Sequence, residues 1–516
     1  MTGNQSTNPP RRPPPSPGPT PHVAADQGRN STSRTRLRAC LTELEDVLHR
    51  PGFGTASTTL GAELELFLVH TDGSPALLGD AVRTAVADKR IAPEVNRFLL
   101  EVNVTPVRAA GGPFRTMAAE SDEVLAKIAH AASTYAAAPV TLGSLPTLTS
   151  ADVGPSALSP HPRYRALERA FTAGRALPFA FTLDGAEPTT VHARSVAVQG
   201  LSCSWQVHLS VAPQTFTRTY NAAQLAVAPV LAAACNSSLM LGRRSWQEAR
   251  IPMFEHGFGD RSHDARRPPR VAFGPSGRWL AGGVRQLFED AVRHYDVLEP
   301  VVSDVLPCPD VTDSGVPSLR ELRDHMSTVW WWNRPVYDPS GHVRIEFRAL
   351  PSGPTTIDMA ANAAFLVGLT TGLAEQADVA ELLPFAHAQE NFYFAAKYGL
   401  DAQLWWPSSV GAPPTRRRAA DLVCGLVPLA AAGLASLEVD KEETESLLEI
   451  IRARATTGRT GATWQDRTLM AFEQHVDRAE ALRMLTRAYA DLARTGAPVH
   501  TWPVRAHRGS SPRASP

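Results

Sequence analysis

Lysine is almost missing from this chain of 516 residues: four of its 51 basic side chains are lysines (Lys89, Lys127, Lys397, Lys441), and arginine supplies the rest. With the abundance of alanine and proline, this is the mark of high-GC codon usage, so a lone arginine carries little information. Cysteine is also scarce. The five present (Cys40, Cys203, Cys235, Cys308, Cys424) are odd in number, scattered, and never spaced Cys-x-x-Cys. That excludes a disulfide framework and a structural zinc site, and makes a reducing cytoplasm the expected home. An excess of either charge is absent, with 51 basic against 51 acidic residues, which removes the electrostatic case for a nucleic-acid partner or an anionic membrane. No apolar leader is present, and no uninterrupted apolar run reaches the eighteen or so residues of a bilayer span. The phosphate-cradling Gly-x-x-x-x-Gly-Lys-Ser/Thr, a Gly-x-Gly-x-x-Gly after a strand, Gly-x-Ser-x-Gly and His-Glu-x-x-His are all missing.

What is present falls into three segments. Residues 1–34 are Pro- and Ser-rich with few large apolar groups, too few to offset the entropy of ordering, and are expected to form a disordered arm. Residues 35–504 read as one large catalytic domain, although the length alone would hold two or three average domains. Residues 505–516 are a polar, frayed tail. Helical periodicity predicts helices at 35–49, 115–138, 221–241, 283–297, 318–330, 356–374, 377–388, 440–454 and 464–494. Two β-prone runs lie at 178–184 and 190–198. Residues 256–280 read as a long covering loop, and Trp330-Trp331-Trp332 as core packing.

The most informative stretch is Gly61-Ala62-Glu63-Leu64-Glu65-Leu66-Phe67-Leu68-Val69. Its even positions are apolar, so as a strand it places Glu63 and Glu65 on one face, with Cα atoms about 6.6–6.8 Å apart. Two like charges at that spacing are unfavourable unless a cation, an arginine or protonation compensates them. Three other stretches repeat the pattern. Glu101, Asn103 and Thr105 alternate with Leu100, Val102 and Val104; Gln206, His208 and Ser210 with Val207, Leu209 and Val211; His342, Arg344, Glu346 and Arg348 with Val343, Ile345 and Phe347. An ordinary solvated sheet face would carry Thr, Ser, Lys and mixed charge. Four Glu, His and two Arg suit Mg²⁺ or Mn²⁺ and phosphate oxygens instead. The predicted fold class is therefore α+β: an antiparallel sheet with helices on its apolar face and its acidic face open as a cleft.

In order along the chain, Gly61-Ala62-Glu63-Leu64-Glu65, Glu94 seven residues before Glu101-Val102-Asn103-Val104-Thr105-Pro106, Val207-His208, Asn236-Ser237, Arg250 and Arg344-Ile345-Glu346-Phe347-Arg348 resemble the motifs of the glutamate–cysteine ligase and carboxylate–amine ligase family. The resemblance runs from about residue 60 to 360, with weaker support from Arg459 to Gln465. It implies a glutamine-synthetase-like funnel of antiparallel strands that uses ATP and Mg²⁺ (or Mn²⁺) to activate a carboxylate as an acyl phosphate for attack by an amine. It further implies metal ligands at Glu63, Glu65, Glu101, His208 and Glu346, and ATP contacts from Arg344 and Arg348, with Glu346 and Arg348 at the chemistry. Arg250, Glu94 and Asn236 would bind the small-molecule substrates. Gln206 stands where many members have a second His, and Ser238 follows Asn236-Ser237 where they have Pro, so the amine stays open. Two other readings of the same acidic face are a catalytically silent nucleotide- or metal-binding homologue and a metal-dependent hydrolase.

Overall fold

A computed structural model of the chain describes residues 21–504, apart from 173–178, 258–267, 299–314, 377 and 410. Seven strands form the main sheet: β1 (Thr59–His70), β2 (Ile91–Pro93), β3 (Leu99–Arg108), β4 (Ala137–Val140), β5 (Trp205–Val211), β6 (Asn333–Asp338) and β7 (His342–Phe347). Their order is β6-β7-β5-β1-β3-β2, with β4 pairing the far end of β1, and every pairing is antiparallel. The helices that matter below are α1 (Pro21–Leu48), α2 (Pro113–Ser133), α3 (Pro162–Thr172), α4 (Phe216–Ala234), α5 (Arg250–Gly257), α6 (Thr356–Gln376), α7 (Phe385–Tyr398), α8 (Ala419–Ser436), α9 (Lys441–Thr457), α10 (Gly461–Phe472) and α11 (Arg478–Ala493).

The alternation read from the sequence does what it must on a pleated strand. Leu64, Leu66, Leu100, Val102, Val207 and Ile345 all lie on the side that meets the helices, and all are buried. The helix layer is centred on α6, which packs against α2, α4, α8 and α9. Two helices, α6 and α8, are by length and composition apolar enough to cross a membrane. Neither helix holds an unbroken apolar run of that length, because Gly, Thr, Asp, Asn or Pro interrupts each. Within its most apolar window α6 is 89% buried among other helices, as a core helix should be, while α8 is half buried. The two cross closely because of glycine: a Cβ on Gly433 would lie 2.1 Å from the Gly368 carbonyl oxygen. A buried ion pair, Arg454 to Asp358 at 2.6 Å, then ties α9 to α6.

Several boundaries differ from those expected. The segment 464–494 is two helices, because Asp477 caps a new N-terminus by accepting the amide of Glu480 and stops the periodic run at α10. The helix expected over 377–388 divides at Pro384 into a short turn, Val379–Leu382, and the longer α7. Strands β6, Gln403–Trp406 and Thr415–Arg418, and helix α8, were not foreseen. Part of the 256–280 loop, the tail 505–516 and Cys308 lie outside the described residues; Cys203, Cys235 and Cys424 are free thiols.

The helix expected from residue 35 begins at Pro21, so residues 21–34 of the presumed disordered arm are helical; residues 1–20 lie outside the described residues. From Leu37 onward α1 buries Leu37, Leu41, Leu44 and Val47 against the helices Gly283–His294 and Arg320–Met326. Each such side chain is worth roughly 1.5–3 kcal/mol when fully buried. Deleting residues 2–33 removes none of them and is expected to leave the melting temperature nearly unchanged. Deleting 2–48 is expected to abolish soluble expression. A large loss in the shorter deletion, read by thermal-shift assay, would mean that the arm itself packs on the domain.

Candidate active site

Register decides which polar groups meet. Glu65 on β1 stands opposite Glu101 on β3, and Glu63 stands opposite Asn103 on one side and Gln206 of β5 on the other. His208 of β5 pairs with Gly61 and, across its other edge, with Glu346 of β7. Glu94 follows β2, which is paired so that Ala92 faces Glu101. The four alternating stretches therefore do lie on one face of one sheet. That face borders a cleft of about 600 Å³ lined by Glu63, Glu65, Glu94, Glu101, Arg250 and Arg348. A second cavity of about 590 Å³ opens beyond β1 and β5 among Thr58, Asn103, His208, Ser210 and His342. Glu63, Asp338 and Arg344 line both, so they stand at the wall between two mouths.

The charged groups sort into two clusters. In the first, one carboxylate oxygen from each of Glu65, Glu94 and Glu101 lies within 4.8 Å of the others. Neutral donors satisfy part of it: Ser204 amide (2.6 Å) and Gln206 Nε2 (2.8 Å) donate to Glu65, Asn103 Nδ2 (3.0 Å) to Glu101, and the Val95 amide (2.7 Å) to Glu94. None of these neutralises charge. Burial, and then repulsion from Glu94, pushes the Glu65 carboxyl up to about 7. Burial likewise raises Glu94, and it raises Glu101 well above its ordinary value with Glu63, Glu94 and Glu65 adding to the shift. Three crowded carboxyl groups, each pushed upward by burial and by one another, offer hard oxygen donors that a divalent cation would hold together, so this donor set fits Mg²⁺ or Mn²⁺.

The second cluster, Glu63, His208 and Glu346, also brings three ligating atoms within 4.8 Å, but its charge is already compensated. Arg334 holds Glu346 bidentately through Nε and Nη2, and Arg348 Nη1 lies 3.2 Å from the same carboxylate. Although burial opposes it, these guanidinium groups keep Glu346 ionised well below the usual carboxylate range. Burial also opposes ionisation of Glu63, and its hydrogen bond and attraction to His208 outweigh that and lower it. Arg344 Nε donates to His208 Nδ1 (3.0 Å), which places the ring hydrogen on Nε2, 3.4 Å from Glu63. Nε2 therefore offers no free lone pair in this arrangement. The expected five-ligand set thus divides: Glu65 and Glu101 fall in the first cluster, together with Glu94, and Glu63, His208 and Glu346 in the second, where arginine engages His208 and Glu346. Arg334 was missed from sequence. The signal was there, in the turn residues Pro339-Ser340-Gly341 that close a hairpin and set Arg334 opposite Glu346.

The remaining expected residues are placed unevenly. Arg348 lines the cleft and donates to Gln206 Oε1, leaving its Nε unpartnered. Arg344 also pairs with Asp338. Arg250 lines the cleft but spends Nη1 on Glu248 (3.2 Å) and the Ala349 carbonyl (3.1 Å), so only its Nε remains without a partner. Asn236 is a correction. It is fully buried and absent from the cleft lining, with Nδ2 donating to the Ser352 carbonyl and Tyr489 hydroxyl (both 2.7 Å) and Oδ1 accepting from Gln465 (2.9 Å). Its role is to knit α10 and α11 to the sheet, which also gives the Arg459–Gln465 stretch a structural use. The tryptophans 330–332 are buried as expected, with Trp330 and Trp332 forming part of the cleft wall.

The profile of Glutamate-cysteine ligase family 2 matches residues 59–487. No curated protein matches the sequence. Among solved structures, the glutamate–cysteine ligase of Francisella tularensis in complex with AMP superposes with a TM-score of 0.52 at 11% identity, covering 88% of this chain and 91% of that one. A bifunctional glutathione synthetase from Pasteurella multocida gives 0.45 at 11% identity, with 89% of this chain and 55% of that one covered. At such identity the first likeness shows the fold, an antiparallel half-barrel sheet backed by helices.

Proposed function

The chain belongs to Glutamate-cysteine ligase family 2, a family of carboxylate–amine ligases, and from that premise we propose that it joins a carboxylate to an amine using ATP through an acyl phosphate. Glutamate and cysteine are the first pair to test. The observation that carries the reading is the crowded triad of Glu65, Glu94 and Glu101 beside Arg348 on one wall of the cleft. A carboxylate is a poor electrophile with a poor leaving group, and phosphorylating its oxygen cures both faults. Glu65, Glu94 and Glu101 would hold Mg²⁺ or Mn²⁺, which supplies charge neutralisation across nucleotide phosphates when bound. Arg348, with its free Nε, would screen the γ-phosphoryl group in transfer, and Arg250 Nε would orient the acid. Arg344 borders both mouths, which supports ATP entering by one and the acid and amine by the other. Arg334 would keep Glu346 ionised and fixed beneath Arg348.

The test is product analysis with ATP, MgCl₂, glutamate and cysteine, followed by a panel of acids and amines. ADP and phosphate are expected. AMP and pyrophosphate would replace the acyl phosphate by adenylation, and absence of nucleotide turnover with every pair would favour a silent binding protein.

A further inference from the structure

Gln199 is 95% buried, borders the cleft, and neither its Nε2 nor its Oε1 has a hydrogen-bond partner among the described residues. A buried amide with both ends unsatisfied is costly unless a ligand completes it. Its position is not loose. Gln199 sits in the 3₁₀ turn Val196–Leu201, which is held at its start by Glu168 of α3 accepting the Val196 amide (2.6 Å) and by Ser195 accepting the Ala197 amide (3.1 Å). The amide packs against the last residue of α5, where a Cβ on Gly257 would fall 2.4 Å from Nε2.

Gly257 shares one stripe of α5 with Phe254 and Arg250, at spacings of three and seven residues, which spans about 10 Å along the helix. Arg250, Phe254 and Gln199 all face the cleft, and the Phe254 ring lies 5.8 Å from that of Trp332, another wall residue. From the reaction centre outward the cleft therefore offers a cationic Nε, an aromatic wall, and a neutral group that can donate and accept at once. A cysteine side chain is too short and its thiol too weak a donor and acceptor to use that far end. We propose that the outer part of this stripe, Phe254 with Gln199, is the amine subsite, taking an arylalkylamine with a hydroxyl at its distal end, that Gln199 is its specificity-determining residue, and that Arg250 at the inner end stays with the acid. The proposal rests on the ligase reading: the amine nitrogen bonds to the acyl carbon, the C–O bond to phosphate breaks, phosphate leaves with the electron pair, and the nitrogen releases a proton to solvent.

The probes are tyramine and 2-phenylethylamine, which differ only in the distal hydroxyl, titrated calorimetrically into the full-length protein without nucleotide. Tyramine is expected to bind at least ~10-fold more tightly, because a site built for a hydroxyl rejects the analogue that leaves its polar groups unpaired. Gln199→Leu is expected to abolish that ratio while leaving 2-phenylethylamine affinity and the KM for ATP unchanged; Phe254→Ala weakens both amines alike. Equal binding of the two amines by the wild-type protein, no binding of tyramine at millimolar concentration, or an unaltered ratio in Gln199→Leu overturns the assignment. The wild-type comparison decides even if the variant fails to fold. Tyramine bound with the expected ratio, but without ADP formation in the presence of glutamate and ATP, supports the subsite and removes the ligase reading instead.

Discussion

Glu65→Gln is expected to lower cation-dependent nucleotide turnover by at least ~10²-fold, the scale on which removing one preorganised electrostatic group acts, and at the same time to raise the melting temperature of the cation-free protein. Both follow from one cause. Glu65, Glu94 and Glu101, part-buried in the cleft wall, repel one another, and a cation that joins them removes the repulsion. The pH dependence gives the sign. The Glu65 carboxyl titrates near 7 in the fold, above its value of about 4.3 in an unfolded chain, so the folded state binds more protons between those limits. Its contribution to stability is present in full below the unfolded value and is lost as pH rises through about 7. The wild-type melting temperature without divalent ions is therefore expected to fall from about pH 5 to pH 8, and MgCl₂ to restore it most at the alkaline end, where the ion competes with fewer protons. In Glu65→Gln the slope should flatten and the MgCl₂ effect shrink. Melting curves of the variant that run parallel to the wild type with and without MgCl₂ would show that this triad is not the cation site.

The parts of this architecture that were legible in the sequence are those that a period of two can encode. Glu63, Glu65, Glu101, Gln206, His208, Arg344 and Glu346 were each assigned to one face of a strand, and the register joins those faces into one surface. Pairing partners between strands distant in sequence were not legible, because nothing local says that Glu65 will stand opposite Glu101; only the short hairpin that sets Arg334 opposite Glu346 carries a local turn signal. Asn236 shows the converse. A polar residue within a motif looks like a ligand contact until its neighbours are known, and here Ser352, Tyr489 and Gln465, distant in sequence, consume its amide. Gln199 escaped notice for a related reason: it lies in an apolar stretch without periodic signal, and only its unpaired burial marks it. Helix α8 was passed over because its Gly, Pro and Ala content hides the periodicity that a leucine-rich face would show.

Arg334→Met is expected to be strongly destabilising although it lies outside the hydrophobic core. Glu346 is fully buried, and Arg334 is its bidentate partner, so the change strands a carboxylate where water cannot reach it. Removing one member of a buried pair costs about 3–5 kcal/mol, since the remaining charge keeps its desolvation penalty without its partner. Arg348 softens the loss but contacts the carboxylate through one nitrogen, at 3.2 Å. The double variant Arg334→Met, Glu346→Gln removes both charges and is expected to regain most of the stability while staying inactive, because Arg348 then loses the anion that holds it against Gln206. The same pair of variants decides what Glu346 is for. If Glu346 serves chiefly to bind a metal, added MnCl₂ will take the place of the guanidinium and rescue Arg334→Met. If it is the anchor of an arginine pair, as the bidentate geometry indicates, MnCl₂ will leave the single variant unstable and only the second substitution will repair it. Urea denaturation of the single and double variants, each with and without MnCl₂, reads the difference, and an Arg334→Met protein as stable as the wild type would remove the buried pair from the account of this site altogether.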